Sequence, residues 1–272
     1  MQIAACQKKV NASPNKTDSF NSLPAKFEVN PMIAEASGIA DSRKNPGYLW
    51  VEEDSGNSPE LSLVNHTGSF YKKIFIKGAT NRDWEDLALL NGKLYIAETG
   101  DNFQVYTDYA FYMFSEPDRA IDTIYSFQKI SFRYPDGSHD AEAFLVDPSS
   151  GNIYVITKRD SASRMYKLSA PVSSSTQTAK FIGQLKFNGV TSACISPDGK
   201  EVILKTYVSL LYYNLNSDEN IESILKKDPI NIPYTLEPQG EAVSFASDNS
   251  GYFTLSEKGF SIDQYLYFYK RN

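Results

Sequence analysis

Apolar and polar residues alternate along this chain in short runs that are separated by turn residues. In one stretch the runs cover residues 142–147, 152–158, 164–168 and 180–187, with a Pro-Ser-Ser-Gly turn between the first two. Runs of this length, joined by such turns or by Asn-Gly and Asp-Gly, are typical of β-hairpins. Helical periodicity is almost absent, and only residues 220–227 predict a short helix. The pattern therefore predicts an all-β protein.

The strand pattern recurs five times, and each repeat places a polar residue at the same point. These marked residues lie 48 to 57 residues apart and are Ser37, Glu85, Glu142, Ser192 and Glu241. Repeats of about 50 residues that each hold one small sheet are typical of β-propellers. The sequence therefore predicts a single five-bladed β-propeller with four-stranded blades, in which the marked residues form a ring around the central axis.

The fifth repeat ends after its third strand, at Asn272, so its outer strand has to come from elsewhere in the chain. Residues 25–30 have a suitable pattern. Their pairing with the C-terminal strand would close the ring and leave only short, protected edges. We therefore predict a propeller domain over residues 25–272 and a separate N-terminal segment over residues 1–24. This length agrees with one all-β domain.

The N-terminal segment indicates a bacterial cell-envelope or secreted protein. Ile3-Ala4-Ala5-Cys6 resembles the end of a lipoprotein signal, in which Cys6 would carry the lipid anchor. Residues 8–21 are typical of a flexible tether, and an ordinary disordered terminus is the alternative. The predicted location is therefore the periplasm or cell surface as a lipoprotein, or the medium. The chain has only two cysteines, which excludes a disulfide framework.

Charge and motifs exclude several classes of function. The formal net charge is −6 and the pI is about 5.1, which disfavours nucleic-acid binding. No apolar run approaches the roughly 18 residues of a membrane span. The chain also lacks a Walker A loop, a dinucleotide-binding fingerprint, a Gly-x-Ser-x-Gly elbow and a His-Glu-x-x-His zinc motif. We expect a monomer without a nucleic-acid partner.

Three of the five marked residues are glutamates, and this composition predicts a bound cation. Carboxylates that converge on one axis raise each other's pKa unless a positive charge lies among them. Carboxylate and hydroxyl oxygens, completed by water, suit a hard ion such as Ca²⁺. The ring therefore predicts a Ca²⁺ cofactor held by all five marked residues. The alternative is that the glutamates pair with Lys158, Lys205 or Lys258 inside the channel.

The loops at one end of the predicted strands carry most of the candidate chemistry, because the segments entering the first strand and leaving the second strand of each blade share a face. The candidate ligand-binding residues are Asp54, Arg82, Asp101, Asn102, His139, Lys158, Lys205, Tyr207 and Glu257. The candidate catalytic residues are Asp83, Asp86, Asp101 and His139. Such groups can act as general acids or bases, or beside a metal ion. The alternative for each aspartate is a turn role through backbone hydrogen bonds.

The order Ser, Glu, Glu, Ser, Glu at the marked positions resembles two families of five-bladed propellers. One family is the calcium-activated nucleotidases (soluble apyrases), whose central calcium is held by serines and glutamates in this order. The other is the SdiA-regulated (YjiK-like) propellers of bacteria. Residues 81–86, 100–102, 134–137 and 139–142 also resemble loops of a group of secreted bacterial propeller proteins. The resemblance covers all five repeats and implies a calcium site at the marked residues.

The sequence supports two classes of function. The first is a calcium-binding module that holds a small molecule, carbohydrate or protein at the channel mouth. The second is a calcium-dependent hydrolase of phosphate esters or glycosides, with an acid drawn from the candidate catalytic residues. Propellers host both classes, so the fold alone does not choose between them. Membrane contact is expected only through the lipid anchor on Cys6.

Overall fold

The computed structural model describes residues 19–173 and 175–272 and forms a ring of five β-sheets. In chain order its strands are β1 (Ala25–Glu28), β2 (Ala36–Asp41), β3 (Tyr48–Glu53), β4 (Glu60–Asn65), β5 (Phe70–Ile76), β6 (Trp84–Leu90), β7 (Lys93–Glu98), β8 (Tyr109–Ser115), β9 (Thr123–Ile124), β10 (Gln128–Arg133), β11 (Ala141–Val146), β12 (Ile153–Thr157), β13 (Arg164–Leu168), β14 (Gln177–Thr178), β15 (Lys180–Gln184), β16 (Val190–Ile195), β17 (Glu201–Thr206), β18 (Leu210–Asn214), β19 (Ile230–Ile232), β20 (Gly240–Phe245), β21 (Gly251–Ser256) and β22 (Tyr265–Lys270). One short helix, α1 (Ile221–Ile224), begins after the N-cap Asn220, whose side chain accepts a hydrogen bond from the backbone N–H of Ser223.

Each sheet is one blade of a propeller, and its innermost strand comes first in the blade. Blade 1 holds β2, β3, β4 and β5; blade 2 holds β6, β7, β8 and β10; blade 3 holds β11, β12, β13 and β15; blade 4 holds β16, β17, β18 and β19; blade 5 holds β20, β21, β22 and β1. The innermost strands contact one another in order around the ring, and β20 contacts β2. The predicted all-β, five-bladed propeller with four-stranded blades is confirmed.

Two features of the sheets are absent from the sequence prediction. The two-residue strands β9 and β14 pair in parallel with the outer strands β5 and β10 of the preceding blade. Each therefore ties a segment of one repeat to the sheet before it. Both are too short to produce a recognisable alternation of apolar and polar residues. Blade 4 also has its own outer strand, β19, which the sequence pattern does not single out.

Burial follows position within the blade. Every residue of β2, β11 and β20 is buried, whereas the outer strand β5 mixes buried with exposed positions. The core consists of clusters between neighbouring blades rather than one central core. Trp50, Trp84 and Tyr112 belong to the cluster between blades 1 and 2. Both tryptophans are therefore core residues, and their burial stabilises the blade interface.

The two ends of the chain meet in blade 5. Strand β1 pairs antiparallel with the last strand, β22, so the N-terminal residues supply the outer strand. Before β1, Phe20 forms a bridge with Arg271 and lies under its guanidinium group, 4.8 Å from ring centroid to guanidinium carbon. Arg271 also binds Glu201 in blade 4 through two hydrogen bonds of 2.6 and 3.0 Å. The pairing of β1 with β22 covers the edge that β22 would otherwise expose.

The predicted lipoprotein signal, the anchor on Cys6 and most of the tether fall within residues 1–18, outside the described residues. They stay predictions. Within residues 19–173 and 175–272, no helix is long and apolar enough to cross a membrane.

Candidate functional site

Each innermost strand carries a β-bulge near its beginning, and the bulge leaves one residue without a partner on the second strand. The five unpaired residues are Ser37, Glu85, Glu142, Thr191 and Glu241. All five are at most 5% exposed. Bulges re-aim side chains, which is why four of the predicted ring positions recur at one structural level.

The predicted position of the fourth marked residue, Ser192, is wrong by one residue. In blade 4 the register shifts between Val190 and Ser192, so Thr191 is the equivalent of the other bulge residues. Ser192 lies one step further along, where its hydroxyl donates a 3.0 Å hydrogen bond to Asp86 Oδ1. The backbone N–H of Ala193 donates to Asp86 Oδ2 at 3.2 Å. Two adjacent hydroxyl residues follow Val190, and the sequence pattern cannot say which one occupies the bulge.

Asp86 therefore lies inside the channel rather than at its mouth. Its carboxylate is fully buried and also accepts a 2.9 Å hydrogen bond from the backbone N–H of Leu87. The bonds from Ser192 and Ala193 link blade 2 to blade 4 across the axis. As a candidate catalytic residue Asp86 is poorly placed, because a substrate at the mouth cannot reach a fully buried carboxylate.

Lys158 occupies one side of the ring. Its ammonium group binds the Glu142 carboxylate, lies 3.6 Å from Glu241 Oε1 and donates a 2.8 Å hydrogen bond to the Tyr207 hydroxyl. Tyr207 in turn donates to Glu241 Oε1 at 2.6 Å. Although burial opposes a charged lysine, Glu142 and Glu241 raise the pKa of Lys158 above its usual value. Glu142 and Glu241 are therefore close to a channel lysine, as in the alternative to a five-residue metal ring.

The other side of the mouth has carboxylates without a cationic partner. Oxygens of Asp54, Asp83 and Glu85 lie within 4.8 Å of one another. Among the described residues, no lysine, arginine or histidine nitrogen lies within 4.0 Å of these three carboxylates. A second group, formed by Glu85 with Asp140 and Glu142, is equally close. Two of the three carboxylates in that group have cationic partners, because Arg159 Nε lies 2.6 Å from Asp140 Oδ2 and Lys158 binds Glu142.

Glu52 adds a further uncompensated carboxylate next to this side. It is fully buried, and within the described residues neither carboxylate oxygen makes a hydrogen bond of regular geometry. Burial raises the pKa of Glu52 well above its usual value, Asp54 and Asp86 raise it further, and the nearby backbone N–H of Gly38 offsets only part of this rise. An unpaired carboxyl group at this depth costs free energy unless it is protonated or faces a cation.

A glycine opposite Glu52 makes its position possible. Gly38 pairs with Glu52 across β2 and β3, and a Cβ atom at Gly38 would lie 2.7 Å from Glu52 Oε1 and 2.5 Å from the backbone nitrogen of Leu87. The side chain of Glu52 can therefore cross the innermost strand into the channel only because position 38 has none. Glu52 is not among the residues predicted from the sequence. A glutamate on the second strand that pairs with a glycine beside the bulge could have indicated a carboxylate directed into the channel.

The segment Asn81-Arg82-Asp83-Trp84 positions Asp83 and the following Glu85, two of the three carboxylates that have no cationic partner among the described residues. The Asn81 side chain donates to the carbonyl oxygens of Glu53 at 2.8 Å and Asp54 at 3.0 Å, and it accepts from the Trp84 N–H at 3.1 Å. This fixes the loop that enters blade 2 against the loop that leaves blade 1. Asp83 and Glu85 are thereby brought next to Asp54 by local hydrogen bonds rather than by a salt bridge.

Gly100 leaves the space that these carboxylates occupy. A Cβ atom there would lie 2.5 Å from Asp83 Oδ2 and closer still to Glu85 Oε1. We expect Gly100→Ala to lower divalent-cation affinity by about tenfold or more, because both carboxylates must move apart. Isothermal titration calorimetry with Ca²⁺ checks this. The control is Gly92→Ala, whose Cβ atom meets nothing within 4 Å and whose positive φ of 71° strains only the turn between β6 and β7, at the other end of the blade. Equal affinity in Gly100→Ala and the unsubstituted protein would contradict the placement of the site.

Burial and mutual repulsion shift the titration of the mouth. Burial, followed by the neighbouring Asp54 carboxylate, raises the pKa of Asp83 to about 7. Burial, followed by Glu142 and Asp54, raises the pKa of Glu85 well above its usual value. Burial and a hydrogen bond with Glu241 raise the pKa of Glu257 to about 9. At neutral pH the cation-free mouth therefore keeps protons that exposed carboxylates would have lost.

These pKa values predict the pH dependence of cation binding. A cation competes with protons for Asp83, so Ca²⁺ affinity should rise as pH increases from about 6 to about 8 and binding should release protons. Without the cation, Asp83 holds its proton in the native protein but not in the unfolded chain between about pH 4 and pH 7, so its contribution to stability should fall as pH rises through that range. Calorimetry in buffers of different ionisation enthalpy measures the released protons. An affinity that is independent of pH would contradict this assignment.

Three predicted ligand-binding residues support the loop between β7 and β8 instead of facing the axis. Asp101 accepts hydrogen bonds of 2.8 Å from the backbone of Val105 and Tyr106 and from the Tyr109 hydroxyl. Arg82 donates to the Asp108 carbonyl at 3.0 Å and stacks on Tyr106. The exposed Asn102 accepts a hydrogen bond from Arg159. Asp101 therefore stabilises a turn through backbone hydrogen bonds, which is the alternative given above for each aspartate.

His139 belongs to a buried polar network between blades 2 and 3. Its ring nitrogens lie 3.2 Å from Asp160 Oδ2 and 3.3 Å from Asp136 Oδ1, and the Tyr166 hydroxyl lies 2.8 Å from Nε2. The ring is only 7% exposed, and all its polar contacts are made within the protein. The backbone N–H of His139 donates a 3.1 Å hydrogen bond to the Tyr109 hydroxyl in blade 2, so the network joins the two blades, and His139 is not part of the group formed by Asp54, Asp83 and Glu85.

Lys205 is likewise removed from the mouth. Its side chain is fully buried, and its ammonium group donates a 2.9 Å hydrogen bond to the equally buried Glu237. Glu237 also accepts hydrogen bonds from Thr254 and Tyr234. Burial lowers the pKa of Lys205, and Glu237 opposes that shift. This pair joins blades 4 and 5. Of the predicted ligand-binding residues, the structure places Asp54, Lys158, Tyr207 and Glu257 at the mouth.

The fold and the mouth together define a five-bladed β-propeller with a group of acidic residues at one side of its channel mouth. A luciferin-regenerating enzyme aligns with this chain at a TM-score of 0.53 and 10% identity, over 91% of this chain and 95% of its own. A gluconolactonase from Xanthomonas campestris aligns at a TM-score of 0.53 and 10% identity, over 92% and 90%. At such identity the likeness shows the fold alone.

No protein-family model matches the sequence, and no curated protein sequence matches it significantly. The resemblances to calcium-activated nucleotidases and SdiA-regulated propellers therefore stay predictions.

Proposed function

We propose that this protein binds a divalent cation, in the first place Ca²⁺, at the channel mouth and uses the mouth to bind a ligand. The observation that carries the proposal is the group of Asp54, Asp83 and Glu85, whose oxygens lie within 4.8 Å of one another without a cationic partner among the described residues. The buried and unpaired Glu52 beside them points to the same conclusion. Three carboxylates supply the hard oxygen donors that Ca²⁺ prefers.

The proposed site lies off the axis, unlike the five-residue ring that the sequence predicts. Lys158 already places a positive charge between Glu142 and Glu241 on the far side, so a second cation would be attracted to the side formed by blades 1 and 2. Glu85 is the one predicted ring ligand retained in this proposal. Ser37 donates its hydroxyl hydrogen to the Glu85 carbonyl at 2.8 Å and so supports the bulge that carries Glu85.

The ligand would meet two kinds of group at the mouth. A cation on one side attracts anionic or hydroxyl oxygens, and Arg159 and Tyr207 reach solvent on the other side. Small anionic molecules and carbohydrates carry several such oxygens, so one molecule could contact the cation and also Arg159 or Tyr207. We therefore propose an oxygen-rich ligand for a protein of the bacterial cell envelope or the medium, as the N-terminal segment predicts.

Calcium-dependent hydrolysis is the second candidate, and Glu257 favours it. Its raised pKa, about 9, keeps it protonated at neutral pH next to Glu241, so it can donate a proton at the mouth. A bound cation would supply Lewis acidity there. Two propellers of similar fold are described as a luciferin-regenerating enzyme and a gluconolactonase. Of the candidate catalytic residues, Asp86, Asp101 and His139 are engaged elsewhere, which leaves Asp83.

One experiment separates the two candidates. The protein is heated with Ca²⁺ and with chelator, and is tested in both conditions against lactones, phosphate esters, nucleotides and aryl glycosides. We expect Ca²⁺ to raise the melting temperature, because a ligand that binds only the native state stabilises it. Turnover that chelator abolishes would select the hydrolase. A calcium-dependent melting temperature without turnover would select the binding module, and no effect of calcium would contradict both.

A further inference from the structure

The face that carries the mouth also carries most of the strongly exposed apolar side chains. In the described part of the chain, eight large apolar or aromatic side chains are at least 62% exposed. Six of them lie in loops at the mouth: Phe103, Val105, Val208, Leu236, Phe260 and Ile262. The other two are Leu23 and Tyr125. Single exposed apolar residues scattered over a surface are ordinary, but six of eight on one face are a concentration that indicates contact with a partner.

Strand direction places these six side chains on one face. Phe103 and Val105 follow β7, Val208 follows β17, and Phe260 and Ile262 follow β21, at the ends of second strands. Leu236 precedes the innermost strand β20. The unpaired carboxylates lie at the same strand ends, because Asp54 follows β3 and Asp83 precedes β6. The apolar side chains therefore surround the acidic mouth on blades 2, 4 and 5.

The distribution of these side chains favours a fluid partner over a folded one. They stand on four separate loops, and each has at least one polar residue next to it in the chain, as in Asn102-Phe103-Gln104 and Ser261-Ile262-Asp263. A folded protein would need a matching socket for each loop. The interfacial layer of a lipid bilayer accepts separate apolar side chains at a common depth without such sockets.

The negative charge of the mouth means that contact with a lipid surface would need a divalent cation. The centre of the face contains Asp54, Asp83 and Glu85 without a cationic partner among the described residues. Such a centre repels the phosphate groups of lipids, and a divalent cation between carboxylate and phosphate oxygens would reverse the repulsion. Apolar side chains around a cation site therefore fit a phospholipid surface, with the cation completing the charge complementarity.

We propose that the mouth face docks on a phospholipid bilayer in the presence of a divalent cation. The apolar loops enter the interfacial layer, and the cation joins Asp54, Asp83 and Glu85 to lipid phosphate. This inference rests on the cation site of the proposed function. It goes beyond the lipid anchor predicted on Cys6, because the folded domain itself would contact the membrane.

The test uses the full chain with Cys6→Ser, so that no acyl anchor is attached. The protein is sedimented with vesicles of phosphatidylcholine and phosphatidylserine, in Ca²⁺ or in chelator. We expect it to sediment with vesicles only in Ca²⁺. Phe260→Ser combined with Ile262→Ser should weaken vesicle binding by about 10- to 100-fold. Leu23→Ser is the matched control, because Leu23 is 85% exposed beside the last residues of β22, at the opposite end of that strand from Phe260 and Ile262, and should not change binding.

Each result bears on one proposal. Calcium titration in the double variant should match that of the unsubstituted protein, since neither residue is a cation ligand. If Ca²⁺ raises the melting temperature but vesicles do not bind, the docking proposal is wrong and the cation site stands. The same holds if the double variant binds vesicles normally, or if calcium instead produces soluble dimers through this face. If Ca²⁺ changes neither melting nor sedimentation, the cation site itself is wrong.

Discussion

Glu85→Gln should reduce Ca²⁺ affinity by about 100-fold or more and, in chelator, should melt at the same temperature as the unsubstituted protein or higher. Glu85 belongs to both acidic groups at the mouth, so its loss removes a donor that no neighbour replaces. The buried carboxylate is costly without a cation, as its raised pKa indicates, and glutamine removes that cost. Titration calorimetry and thermal melts, each with and without Ca²⁺, measure the two effects.

The opposite signs of these effects distinguish a metal ligand from a structural residue. A structural glutamate would lower the melting temperature in chelator when it is replaced. The control is Glu28→Gln, an exposed strand residue that should leave both quantities unchanged. A Glu85→Gln variant that binds Ca²⁺ normally, or that melts well below the unsubstituted protein in chelator, would count against the cation site.

Lys205→Met should destabilise the protein by about 3–5 kcal/mol, the cost of leaving one member of a buried ion pair alone. The side chains of Lys205 and Glu237 are at most 1% exposed, and the lysine ammonium group lies 4.0 Å from the centroid of the Tyr234 ring. Methionine fills most of the lysine volume, so the loss reflects the unpaired carboxylate rather than a cavity. Urea unfolding at neutral pH measures the change.

Two further variants interpret this result. Lys258→Met replaces a half-buried lysine near the mouth that does not form an ion pair with any described residue, and should change stability by about 0.5 kcal/mol or less. Lys205→Met combined with Glu237→Gln should recover part of the loss, because the buried charge is removed from both sides. Equal stability of Lys205→Met and the unsubstituted protein would mean that the pair does not join blades 4 and 5 in solution.

The fold could be predicted from the sequence because it repeats. Each repeat carries the same alternation and the same hairpin turns, so five weak signals support one another. The closing strand was predictable for a related reason, since the fifth repeat lacks its outer strand and residues 25–30 have the right pattern. Strands β9 and β14 were not, because their pairing depends on contacts between neighbouring blades.

The site was only partly predictable. The bulge positions of Ser37, Glu85, Glu142 and Glu241 follow from the repeat, whereas Thr191 and Ser192 are chemically too similar for the pattern to separate. Contacts between blades decide the rest. The reach of Lys158 to Glu241 and the crossing of Glu52 over Gly38 depend on how neighbouring strands and blades meet in space. Repeat spacing contains no information on such pairings.

The most direct test of the cation site is a crystal structure of the protein with a lanthanide in place of Ca²⁺, read by anomalous scattering. We expect one ion at about 2.3–2.6 Å from carboxylate oxygens of Asp54, Asp83 and Glu85, with Lys158 still bound to Glu142. An ion held on the axis by Glu142 and Glu241 with Lys158 displaced, or no ion near Asp83 and Glu85, would contradict it.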